Sequence, residues 1–249
     1  MALASARGLP RAWLTGAIFV SLLWRAALVA APPLLSDDIY RSVWEGRIQA
    51  GGGNPYVWED RPEADRWRPL RDDVWARINH KEYPAIYPPV WQLAVRAVIA
   101  VSDSVWAVKA FLVLCEILTL AALAAILSRR RLPAERLLVL AWSPLALVEV
   151  AGSGHNEPLA VLLLVLALLA LETGRRSTSL ALAALGAGAK LLPALIVLAW
   201  ARRYRVRDLA AGMAAAALAV LPFVGAGAWL WHSLDKYARF WRFNETGFA

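Results

Sequence analysis

The chain has 249 residues, of which 59% are hydrophobic, against roughly 45–50% in a typical soluble domain. A domain of this size leaves much of its surface wet, so that much apolar side chain excludes an ordinary cytosolic domain, a disordered chain and a disulfide scaffold. The net charge of +8 would suggest nucleic acid in a soluble protein, but here the cations cluster at the ends of apolar runs, and no nucleic-acid partner is expected.

The first apolar run covers residues 13–31, preceded by Arg7 and Arg11. A cleaved signal peptide would look similar, but further apolar runs follow, so a retained first transmembrane helix is expected. Residues 34–103 are polar, rich in Pro and Gly, and carry Trp44, Trp58, Trp67, Trp75 and Trp91. A flexible linker does not hold so many large aromatics, whereas tryptophan favours the membrane–water interface. This segment is expected to be an ordered loop with short interfacial helices. Within it, residues 90–101 are apolar but contain Arg96 and fall short of the roughly 20 residues a span needs; they predict a juxtamembrane helix.

Further apolar runs cover 104–128, 135–151, 158–171, 178–201 and 208–231, separated by basic clusters at Arg129–Arg131, Arg175–Arg176 and Arg202–Arg207. Short basic loops stay cytoplasmic. With the N-terminus and these clusters inside, residues 34–103, the turn at 152–157 and the tail 232–249 lie outside. The 178–201 run is then flanked by basic clusters at both ends, which two half-length helices turning near Lys190 satisfy; Gly186, Gly188 and Pro193 surround that point and suit a broken helix. The expected architecture is an all-α integral membrane protein, one membrane domain over 1–249, of the multi-pass plasma-membrane kind, with His80, His155 and His232 all on the extracytoplasmic face.

Five places can carry chemistry. Ser36 to Arg47 form an amphipathic helical stripe through Ile39, Val43 and Ile48, ended by Gly51-Gly52-Gly53. Structurally, Ser36 caps this helix, Asp37 and Asp38 complement its dipole, and Arg41 makes a surface charge ladder with Asp38 and Glu45; functionally, a carboxylate here can take a proton from a hydroxyl. From Ile78 to Pro89, prolines set an extended path. His80 and Lys81 can neutralise phosphate and Tyr87 can stack on a sugar, or the segment is an interfacial loop with snorkelling cations. Gly152 to Glu157 places His155, Asn156 and Glu157 between two apolar runs, with Glu149 a turn earlier, a setting in which ionisable groups are functional by default. Lys190 stands alone in an apolar stretch and needs an anionic partner, whereas Lys109 and Glu116 read as structural or cavity-facing. Phe240 to Thr246 read as an aromatic belt or a carbohydrate platform. Neither a nucleophilic triad nor a zinc motif is present; no metal site or cofactor is expected, although a divalent ion is not incompatible.

Taken in order, Asp38-Ile39-Tyr40-Arg41 with Trp44-Glu45-Gly46-Arg47, Gly53-Asn54-Pro55-Tyr56, Ile78-Asn79-His80 with Ile86-Tyr87-Pro88-Pro89, Gly154-His155-Asn156-Glu157, Lys190 with Pro193, and Trp241-Arg242-Phe243-Asn244 resemble the GT-C class of membrane glycosyltransferases. More narrowly, they resemble the bacterial family 87 and polyprenol-phosphomannose-dependent mannosyltransferases. The resemblance covers nearly the whole chain. It implies a GT-C-like helical bundle with a large first extracytoplasmic loop, and inverting transfer of a hexose, mannose in this family, from a polyprenyl-phosphate donor to a glycan or glycolipid acceptor in the cell envelope. It also implies Asp38 as general base with Asp37 beside it; Arg41, His80, Lys81, His155 and Lys190 toward the donor phosphate; and Tyr87, Asn156, Glu157 and Asn244 toward substrate. Members of that family are longer, so the chain reads as a fragment, a shortened homologue or half of a split protein. A transporter or flippase for a polyprenyl-linked substrate, and a non-catalytic membrane subunit, are the competing readings; the broken segment at Lys190 speaks for the former, the short chain for the latter.

Overall fold

In the computed structural model, which describes residues 9–232 and 235, the chain is helical and no strand occurs among the described residues. Helix α1 (Arg11–Ala30) starts after Pro10 and stops at Ala31, whose backbone turns extended before Pro32. Helix α5 (Val105–Arg129) opens on a capping bond from the Ala107 N–H to Ser104 Oγ at 3.1 Å. Its 25 residues rise roughly 37 Å, more than the hydrocarbon core of a bilayer. With α11 (Val206–Val220) and its continuation to Ala226, these are three helices long and apolar enough to cross a membrane.

Their packing inverts that of a soluble bundle. Trp13 is 73% exposed and Met213 66%, while Arg25 and Lys109 are fully buried. Charges inside and large apolar side chains outside is the arrangement lipid selects, because in hydrocarbon only the polar groups need partners. Arg25 Nε pairs with Glu116 Oε2 at 3.0 Å and its Nη1 donates to the Ala141 carbonyl at 2.8 Å. Lys109 Nζ donates to the carbonyls of Leu28 and Ala31, both at 2.6 Å, so it caps the end of α1, whose last carbonyls have no partner within the helix. Both Lys109 and Glu116 are therefore structural.

Between these helices, α2 (Asp38–Ala50), α3 (Asp73–Ala76) and α4 (Pro89–Val101) form the ordered segment at 34–103. Helix α2 is buried along nearly its whole length and crosses α4 where Gly46 meets Ile99; a Cβ there would lie 2.5 Å from Ile99 Cγ1. Trp44, Val43, Trp91 and Val95 fill the contact, and beside it Gln92 Nε2 donates to Glu45 Oε2 at 2.6 Å while Gln49 Nε2 reaches the Gln92 carbonyl at 3.0 Å.

The second half departs from the expected runs in two places. Residues 135–151 do not form one helix. They form a 3-10 turn (Ala134–Leu137), α6 (Leu138–Ala141), α7 (Pro144–Ala146) and a π-helical turn (Leu147–Gly152). Pro144 cannot donate backward, so the helix restarts there with Ser143 Oγ accepting from the Ala146 N–H at 3.3 Å. Then α8 (Glu157–Glu172) and α9 (Arg176–Ala189) pack as neighbours, with α11 on the far side of α9 and α5 against α8. Lys190 interrupts the next stretch with extended backbone, φ −154°, ψ 141°, and α10 (Pro193–Trp200) follows with proline in its first turn. Residues 208–231 are likewise not one helix: α11 tightens into a 3-10 turn at Leu221–Ala226, where Pro222 sits, and Gly227 at φ +53° ends it.

Candidate active site

Asp38 is the first residue of α2. Ser36 Oγ accepts its backbone N–H at 3.3 Å, so Ser36 supports the helix start, although the residue in the capping position is Asp37, whose exposed side chain makes no capping bond. The Asp38 carboxylate is half-buried and held at both oxygens: Asn79 Nδ2 donates to Oδ1 and the Tyr87 hydroxyl to Oδ2, each at 3.1 Å. Tyr87 is fixed in turn by Tyr56, whose hydroxyl donates to the Tyr87 carbonyl at 2.6 Å. Burial, then the neighbouring Asp38 charge, push the Tyr87 phenol well above its usual range, so it stays a donor throughout the working pH range.

What shapes the 78–89 segment around that carboxylate is Arg41. Its Nε pairs with Glu45 at 2.9 Å, Nη1 donates to the carbonyls of Asn79 (3.4 Å) and His80 (2.9 Å), and Nη2 to those of Tyr83 and Pro84 (2.8 Å). A guanidinium has five N–H donors, and all five are used. Arg41 thus forms a buried pair rather than a surface ladder, and it serves the loop that carries Asn79 rather than a phosphate. Burial pushes the Glu45 carboxyl above its ordinary range against the pull of Arg41 and the Gln92 bond. Lys81 is also committed, donating to the carbonyls of Ala76 (3.0 Å) and Ile78 (2.7 Å) and covering the Trp75 ring. His80 sits at φ +47° with Nδ1 3.6 Å from Glu82 Oε1.

The 152–157 turn lies directly against this carboxylate's helix. Gly154 adopts φ +83°, and a Cβ on it would fall 2.3 Å from Ile39 Cδ1; only glycine permits both the left-handed backbone and the contact. The turn is organised by a histidine–carboxylate contact and an ion pair. His155 Nδ1 lies 2.9 Å from Glu149 Oε2, and the His155 N–H donates to the Glu149 carbonyl at 3.0 Å. Lys190 pairs with Glu157 and donates to Asn156 Oδ1 at 3.4 Å. The charges of Asp38 and Glu157 both act on the Tyr87 phenol. The Asn156 amide nitrogen is buried and has no hydrogen-bond partner among the described residues. A buried donor left open costs about 1–3 kcal/mol.

Of the residues expected from sequence, the fold brings Asp38, Tyr87, His155, Asn156, Glu157 and Lys190 into one region, with Asp37 at its rim. It commits Arg41 and Lys81 to carbonyls and leaves His80 beside Glu82. Asn244 lies outside the described residues. Asn79 and Glu149 belong to the region by their bonds to Asp38 and His155; their only sequence signals were their places in the Ile78-Asn79-His80 motif and one turn before His155. Among the described residues no group of three or more His, Cys, Asp or Glu side chains is placed to hold a metal ion.

No curated protein and no solved structure matches the chain. A family model described as alpha-(1->6)-mannopyranosyltransferase, N-terminal domain, matches residues 3–232. A chain that is helical, with no strand and three membrane-length helices among the described residues, and matched over nearly all its length by that model, belongs to the alpha-(1->6)-mannopyranosyltransferase family and is a mannosyltransferase.

Proposed function

We propose that the chain transfers mannose from a polyprenyl-phosphate-linked donor to a hydroxyl of a glycan or glycolipid acceptor, by a single inverting displacement on the extracytoplasmic side of the plasma membrane, as GT-C enzymes do. The observation that carries this reading is the Asp38 carboxylate, held at both oxygens by Asn79 and Tyr87 beside the 152–157 turn that Lys190 contacts.

Asp38 takes the proton of the acceptor hydroxyl as its oxygen bonds to the anomeric carbon; the bond from that carbon to the phosphate oxygen breaks, and polyprenyl phosphate departs as a stable anion. The group that must be supplied is a base, and a carboxylate with neither oxygen free to rotate is placed to act as one. Negative charge grows on the phosphate, so cations near it lower the barrier. Lys190 and His155 serve there, and the open Asn156 donor adds a hydrogen bond. Because inversion converts the anomer and the family's name specifies an α product, the donor is β-linked.

The test is to supply the purified chain with 13C-labelled β-mannosyl phosphopolyprenol and an α-(1→6)-linked mannose oligomer, and to read the anomeric coupling of the product by NMR. A new α-linkage is expected. A β-linked product, or transfer from a nucleotide-activated mannose alone, contradicts the reading, and movement of the lipid across a bilayer without bond formation makes the chain a flippase.

A further inference from the structure

At the opposite end of the bundle from Asp38, α8 ends, α9 begins, α10 ends and α11 begins. Two open depressions lie there. One, of about 430 Å³, is lined by Arg175, Arg176, Arg205 and Arg207; the other, of about 530 Å³, by Arg176, Arg202, Arg203 and Arg205. The two share Arg176 and Arg205. None of these six guanidinium groups forms an ion pair within 4.0 Å among the described residues, whereas Arg130 nearby is paired with Glu172. The one carboxylate in the lining, Asp208, is buried and already accepts from Ser177 Oγ at 2.6 Å and from the Arg205 N–H at 2.8 Å. Tyr204, which lines the second depression, is held by the hydrogen bond between its hydroxyl and Ser179 Oγ at 2.9 Å.

Next to these cations the surface is apolar. Val206 is 84% exposed, Leu198 70% and Leu209 48%, and Val206 opens one of the three membrane-length helices. A soluble phosphate has no use for that border; a molecule with a phosphate head and hydrocarbon tails does. We infer that this face binds the headgroup of an anionic phospholipid, and that two neighbouring depressions with shared arginines select a lipid carrying two phosphodiesters, of the diphosphatidylglycerol class, over a lipid with one. Basic pockets between membrane helices bind such headgroups, and arginine's planar fork takes a phosphodiester through two parallel hydrogen bonds. The site is independent of the reaction proposed for Asp38.

The test is binding of fluorescent diphosphatidylglycerol to the purified full chain in neutral detergent, with phosphatidylglycerol, phosphatidylcholine and inorganic pyrophosphate as competitors. Diphosphatidylglycerol is expected to bind at least about tenfold more tightly than phosphatidylglycerol, with no competition from phosphatidylcholine. At about one unit charge's surface attraction per arginine, the double variant Arg176→Gln/Arg205→Gln loses roughly thirtyfold in affinity. The Arg202→Gln/Arg203→Gln variant, which alters one depression only, falls to the phosphatidylglycerol level, and Arg68→Gln, an equal loss of charge per residue in the 34–103 segment, changes nothing. Undiminished binding in both double variants, equal affinity for the two anionic lipids, or displacement by pyrophosphate at equimolar concentration overturns the inference, the last because it assigns the site to a soluble anion.

Discussion

The Tyr87 hydroxyl donates to Asp38 Oδ2 at 3.1 Å across 49 residues of sequence, and Asn79 occupies the other oxygen at the same distance. These two bonds decide which way the carboxylate faces. A hydrogen bond to a charged group contributes about 1.5–3 kcal/mol; if that much orienting energy is lost in the transition state, Tyr87→Phe and Asn79→Ala each lower kcat by roughly tenfold to a hundredfold. Unaltered kcat in both variants would show that the orientation of Asp38 does not matter.

Arg41 organises the segment that presents Asn79 and Tyr87. Removing it leaves Glu45 buried without its cation, which costs about 3–5 kcal/mol. Arg41→Met is expected to lose thermal stability on that scale and to make residues 78–84 sensitive to protease. Lysine does not rescue it, because one ammonium cannot reach four carbonyls and a carboxylate from a single point. If Arg41→Lys keeps full stability, the guanidinium fork is not what holds the segment.

Gly154→Ala puts a Cβ 2.3 Å from Ile39 Cδ1 at a backbone of φ +83°, and Ile39 is itself fully buried. The left-handed strain alone costs about 1–3 kcal/mol. Either the turn shifts, carrying His155, Asn156 and Glu157 away from α2, or the protein loses stability. Kinetics and thermal melting on the same preparation are expected to show a fall in at least one; no change in either contradicts the packing described.

Arg47 clamps the outer segment by donating to both oxygens of Asp72 (2.9 and 3.0 Å) and of Asp103 (2.8 and 2.9 Å). Burial opposes the Asp72 carboxylate, but the Trp75 N–H, the Arg47 bond and charge, and the Val74 N–H together hold it below its ordinary value of 3.8. The folded state therefore binds this proton less tightly than the unfolded state. The stability it contributes is complete above about pH 4 and lost as pH falls through the folded value. Asp72→Asn is expected to be less stable than the parent at pH 7 and to show a shallower loss between pH 4 and 2, measured by thermal melting in detergent. Parallel pH curves for the two proteins contradict this role.

Much of the layout could be read from local pattern. Basic clusters marked the ends of apolar runs, Gly186, Gly188 and Pro193 surrounded the interruption at Lys190, and Asp38 stood where a helix begins. The roles of the cations could not be read in the same way. Arg41 and Lys81 look like phosphate ligands in sequence because their partners are backbone carbonyls, which every residue has and none advertises. The bond from Asn79 to Asp38 spans 41 residues and depends on where prolines steer the intervening segment. The 135–151 run has the composition of a span, yet Pro144 divides it and the π turn beside Glu149 brings that carboxylate to His155.

The role of Asp38 is tested most directly by Asp38→Asn in the purified chain, with transfer from β-mannosyl phosphopolyprenol measured beside donor binding and thermal melting. Asparagine keeps the shape and cannot take the proton. A positioned general base contributes roughly a hundredfold to ten-thousandfold, so transfer is expected to fall by that factor while donor affinity and melting temperature stay at the parent's values. Turnover within about threefold of the parent, well inside that range, would contradict the assignment and leave the base to be found elsewhere on the chain.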